Sequence, residues 1–95
     1  MKTIYKYYFP IQDEFYLEVP YGAKILTVQM QHSEAQIWAL VDTDSEDVRF
    51  RGFRVLGTGH PFPDADTYSQ YVGTIQLHQG DLVFHVFTTP DEEAD

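Results

Sequence analysis

Apolar and polar residues alternate with a period close to two along most of the chain. Nowhere do apolar residues recur at spacings of three and four over a dozen positions, as one face of a helix requires. Strands are therefore predicted throughout. The first candidate runs from Ile4 to Phe9 and is ended by Pro10. In the second, Phe15, Leu17 and Val19 alternate with Glu14, Tyr16 and Glu18, which marks out an inner face. Pro20-Tyr21-Gly22-Ala23 has the chemistry of a tight reversal, because proline presets its own φ and glycine suits the last position. In the strand that follows, Leu26, Val28 and Met30 are expected on one face and Thr27, Gln29 and Gln31 on the other. After a turn at His32-Ser33-Glu34, QIWALVD is apolar on both faces, as befits a central strand or one with a covered outer face.

The segment VRFRGFRVLG (48–57) resumes the alternation, with arginine on one face and Phe50 on the other. Phe50 and Phe53 are three positions apart. Keeping both rings in the core requires one extra residue, so a β-bulge is expected at Gly52. GTGHPFPDAD (57–66) has no internal period and reads as a long connection, with room for one helical turn around Asp64 to Tyr68. QYVGTIQLH and DLVFHVFTT predict a closing hairpin through Gln79-Gly80. Seven short strands separated by turn signals predict an all-β domain, either an antiparallel sandwich or a partly open barrel, over residues 1–89. Residues 90–95 are expected to form an acidic flexible tail.

With 95 residues there is material for a single core, and 43% apolar and 16% aromatic residues can fill it despite a net charge of -9. The charge is unevenly spread. DTDSED (42–47) and PDEEAD (90–95) hold eight of the fifteen acids and no base, which leaves seven acids against six bases elsewhere. Such a chain lacks the broad cationic surface that duplex binding needs, so nucleic acid is not an expected partner. The absence of cysteine excludes disulfides, thiolate zinc sites and thiol nucleophiles. No apolar run reaches the length of about 18 residues needed to span a membrane, and the first residues lack the core of a secretory signal. A soluble cytoplasmic protein without a membrane partner is expected.

Candidate chemistry concentrates in RFRGFRVLGTGHP. Arg49, Arg51 and Arg54 offer planar donor forks that match phosphate or carboxylate, and Gly57 and Gly59 let backbone N–H groups turn toward an anion beside His60. Trp38 or Tyr71 could stack on such a ligand. The pattern is neither a phosphate loop of the nucleotide hydrolases nor a dinucleotide-binding fingerprint. A competing reading pairs the arginines with the DTDSED acids on a solvent face.

Histidines 32, 60, 78 and 85 have no ligand spacing, so no metal is expected; His85 reads as a satisfied, partly buried histidine. Ser33, Ser45 and Ser69 stand in ordinary turns, and the acids are mostly in loops, so neither nucleophilic nor glycosidic catalysis is indicated. The expectation is a protein that is not an enzyme and uses no cofactor. Tyr5, Tyr7, Tyr16, Tyr21, Tyr68 and Tyr71 suit a protein contact surface, and covering them in a homodimer would supplement a small core.

The opening MKTIYKY, the turn PYGAKIL, and WALVD, RFR, GTGHP, YVGT and LVFHVF together resemble a family of small, uncharacterised bacteriophage and prophage proteins. That resemblance covers residues 1 to about 89 and implies expression in the cytoplasm of an infected bacterium. It brings no activity, cofactor or site residue with it. Two functions are consistent with the residues: binding of an anionic small molecule such as a nucleotide-derived defence signal, or inhibition of a host protein as an adaptor. A minor virion component comes third.

Overall fold

The computed structural model describes residues 1–62 and 69–90. The helical turn anticipated at Asp64 to Tyr68 and the acidic tail from Asp91 onward lie outside the described residues. Seven strands follow in chain order: β1 (Lys2–Tyr8), β2 (Glu14–Pro20), β3 (Lys24–Gln31), β4 (Glu34–Asp42), β5 (Val48–Gly57), β6 (Gln70–Leu77) and β7 (Leu82–Thr88). They form a three-stranded sheet, β1-β4-β3, and a four-stranded sheet, β2-β5-β7-β6, with every pairing antiparallel. The two sheets pack as a sandwich and do not close into a barrel. β4 is central in its sheet, as its two apolar faces predicted, and β6 and β7 form the expected closing hairpin.

The core lies between the sheets and takes inward-facing residues from β2 to β7, with Tyr7 of β1 packed half-buried against it. From β4 come Ala35, Ile37, Ala39 and Val41; β5 and β7 add Phe53, Val55 and Val86. Phe9, just beyond β1, stacks on Phe15 at 4.2 Å between centroids, and Phe15 stacks on Phe53 at 4.9 Å. The Phe9 N–H donates to the Ala35 carbonyl at 3.1 Å, which ties this stack to the three-stranded sheet.

Two details of register depart from the sequence reading. No bulge occurs at Gly52, which pairs in unbroken register with Tyr16. Phe50 is instead left 67% exposed, so the alternation has no need of an extra residue. What the missing side chain at Gly52 does is admit the Tyr16 ring and the Thr89 hydroxyl, both of which would collide with a Cβ there. The bulges fall in β3, between Ile25 and Thr27, and in β6, between Tyr71 and Gly73. The first changes the phase, so that Ile25, and not Leu26, joins Val28 and Met30 on the inner side while Leu26 stays exposed. The second turns Tyr71 outward and Gly73 inward, with Val72 as the inserted residue.

Gly73 meets β3 edge to edge: a Cβ there would stand 2.8 Å from Cγ1 of the buried Val28. Gly73→Ala should therefore destabilise the fold by about 1–3 kcal/mol, the usual cost of overpacking a full core. In a urea-unfolding double-mutant cycle with Val28→Ala, the paired loss should be smaller than the sum of the single losses. Strict additivity would mean that the two sites do not touch.

Candidate functional site

The alternation of β5 separates the three guanidinium groups. Arg49 pairs with the buried Val19, and Arg51 with Leu17, so both share the inward side of β5 with Phe53. Arg54 pairs with Glu14 on one side and Phe87 on the other, on the outward side. Arg49 lies over the Tyr21 ring, its Cζ 5.0 Å from the centroid. Arg51 donates from Nη1 to the Thr89 carbonyl at 3.2 Å. Gly57, Thr58, Gly59 and His60 form a reversal closed by the His60 N–H on the Gly57 carbonyl at 3.1 Å. Gly59 has φ +87°, the left-handed geometry that a type II turn asks of its third residue. The His60 ring packs on Gly57, where a Cβ would be 2.8 Å away. Both line a hollow of about 250 Å³ with Asp81, Val83 and Phe84.

Tyr71 and Trp38 stand on different sheets. Tyr71 leans on Phe87 at 5.4 Å and hydrogen bonds the Thr74 hydroxyl. From Thr74 the chain of bonds runs to Nδ1 of His85 at 2.9 Å, and from Nε2 of His85 to the Thr58 hydroxyl at 2.7 Å. His85 is thus satisfied on both ring nitrogens, by β6 on one side and by the turn after β5 on the other. Trp38 lies on the outer face of the three-stranded sheet beneath the Lys6 ammonium, which is 5.8 Å from its centroid and donates to Oε1 of Gln31 at 2.6 Å.

The same outer face holds a site that none of the arginine arguments addressed. All three lysines of the chain fall on it: Lys2 opposite Asp42, Lys6 opposite Trp38 and Lys24 opposite Leu40. Lys2 and Lys24 flank a hollow of about 340 Å³ whose floor is Leu40 and Val41 and whose rim includes Tyr21, Gly22 and Asp42. Among the described residues, no hydrogen bond or ion pair holds either ammonium. Gly22 makes the rim with φ +84°, a conformation a side chain would strain although nothing stands within 4 Å of its Cβ position. Arg49 reaches this rim through Tyr21. The only sequence signal was parity: Lys2 and Lys6 share one face of β1, but what brings Lys24 beside them is the pairing of both strands with β4.

Asp42 is the one acid on the rim, and its charge is already engaged. The Met1 ammonium donates to Asp44 at 2.7 Å and to Asp42 at 3.2 Å, and the Asp44 N–H donates to Asp42 at 3.0 Å. Hydrogen bonds to Asp44 and then Asp42 raise the ammonium above the ordinary α-amine range. The Asp44 N–H, and then the ammonium, hold Asp42 below the ordinary carboxylate range. Of the DTDSED acids, Asp42 and Asp44 thus serve the amine. The ammonium's share of stability is complete below the ordinary amine value and is lost as pH rises through the raised one. That of Asp42 is complete above the ordinary carboxylate value and is lost as pH falls through the lowered one. Asp44→Asn should return the amine's NMR titration midpoint toward the ordinary range, and an unmoved midpoint would refute the contact.

Among the described residues there is no cluster of three or more histidine or acidic side chains fit to hold a metal, and no helix long and apolar enough to cross a membrane. The family model for DUF7352, a domain of unknown function, matches residues 1–95, and the chain belongs to that family. No curated protein and no solved structure matches it.

Proposed function

We propose that this DUF7352 domain binds a small, multiply charged anion in the hollow between Lys2 and Lys24, and does so as a binding protein and not as an enzyme. One observation carries the reading. In a chain of fifteen acids and six bases, two ammonium groups flank one hollow and, among the described residues, neither makes a hydrogen bond or a close ion pair, although the charge of Lys2 is felt by Asp42 opposite it. Cations at the lip of a concavity supply strong charge-assisted hydrogen bonds to an oxyanion, a local attraction set against the chain's overall charge of -9. The Tyr21 ring, with the Arg49 guanidinium on it, adds a planar surface for the uncharged part of the ligand. A nucleotide-derived signal has both parts. If the resemblance to phage proteins noted above holds, such binding would take place in a host cytoplasm, where a small accessory protein could sequester a defence signal.

Isothermal titration with pyrophosphate, ADP and ADP-ribose tests this. Binding should weaken with salt, and Lys2→Gln and Lys24→Gln should each cost about tenfold in affinity, roughly the value of one charge-assisted hydrogen bond. Arg54→Gln, on the opposite sheet face, should cost nothing. Absence of heat with all three anions would overturn the proposal.

A second reading rests on a separate observation. Tyr16, Phe50 and Tyr71 project from the outer face of the four-stranded sheet with more than half their surface exposed, and Phe62 packs edge-on against Phe87 on the same face. Exposed rings in that density suit contact with a basic host protein, drawn by the chain's negative charge. A bacterial protein retained on the immobilised chain should be lost with Phe50→Ser plus Tyr16→Ser; retention unchanged by that double substitution would remove the face from consideration.

A further inference from the structure

Among the described residues only four non-glycine positions have positive φ: His32 (52°), Ser33 (69°), His78 (54°) and Gln79 (59°). They form the two turns β3–β4 and β6–β7. A turn with both central φ values positive is ordinarily made by Asn-Gly, since a side chain in the left-handed region costs on the order of 1 kcal/mol or more. Neither turn uses that solution at these positions, and both turns border a single hollow. It measures about 370 Å³ and is lined by Met30, Ser33, Gln76, Leu77 and His78. A shallower groove of about 290 Å³ continues from it, sharing Met30, Ser33 and Leu77 and adding Phe9, Pro10 and Ile11.

We infer that this end of the sandwich is a second binding site, for an amphipathic small molecule with a carboxylate head. The head would sit where the Ser33 hydroxyl, the Gln76 carboxamide and a ring N–H of His78 line the hollow as possible donors and where, among the described residues, no acid contributes to the lining. The apolar body would run over Met30 and Leu77 toward Phe9 and Ile11, a groove whose one acid, Glu34, is exposed. The strained turns then have a physical reason. Replacing Ser33 by glycine would relieve the backbone and remove a donor from the site, so stability and binding pull in opposite directions at one residue. The inference stands apart from the lysine hollow, with which it shares no lining residue.

The experiment is an NMR titration of the full chain with octanoate, octanol and octylamine. Octanoate should give saturable shifts at the Met30 methyl and Leu77, and should bind about fivefold or more tightly than octanol, with octylamine weakest. Ser33→Gly should raise the melting temperature while weakening octanoate by about threefold or more, and Lys24→Gln should leave octanoate affinity unchanged. The inference is overturned if octanol or octylamine binds as tightly as octanoate, if the shifts centre on Lys2 and Lys24, if no saturation is reached, or if Ser33→Gly leaves affinity unchanged.

Discussion

The stack of Phe9, Phe15 and Phe53 is the contact on which the sandwich turns. Its three rings come from the β1–β2 connection, from β2 and from β5, and each of these residues is buried. Burying one phenylalanine contributes about 1.5–3 kcal/mol, and a well-placed ring pair adds about 0.5–1.5 kcal/mol. Because the Phe9 N–H is bonded to Ala35 at the start of β4, the stack also fixes how the chain crosses from one sheet to the other. Every later pairing inherits that crossing, including the placement of Tyr21 and Gly22 at the end of β2 beside the three-stranded sheet.

That placement creates a cationic spot on an acidic body. The lysines of β1 and β3 are far apart in the chain and meet only because both strands pair with β4. The Met1 ammonium engages Asp42 and Asp44, one positive charge against two carboxylates, and Lys2 adds its field at Asp42, so among the described residues Lys24 is the lysine of the hollow with no acid beside it. The opposite sheet carries a different surface, aromatic and crossed by the hydroxyl and imidazole bonds from Tyr71 to Thr58. The two faces therefore differ in chemistry and share no residue.

The strand pattern was readable because period two is a property of the backbone itself, and the inner residues Phe15, Leu17 and Val19 of β2 stand where the alternation put them. The bulges were not readable. Whether a strand needs an extra residue depends on the neighbour it must match, and at Phe50 the expectation failed because an exposed ring on an outer face costs little in a chain with more rings than it can bury. The grouping of arginines was misleading for the same reason: residues 49 and 51 have one parity and 54 the other, and only a bulge could have united them. Of the residues first proposed for an anion site, Arg49 reaches the lysine hollow through Tyr21, Trp38 shares its sheet face, and the remainder occupy the other sheet or its loops.

By itself the sequence determined the fold class, the hairpins and the inner face of β2, since alternation and turn chemistry act over neighbours a few residues apart. Only the tertiary structure decided which charges remain unpartnered, where a hollow opens, and which turns bear strain. Those depend on pairings between segments tens of residues apart, whose register no local pattern encodes.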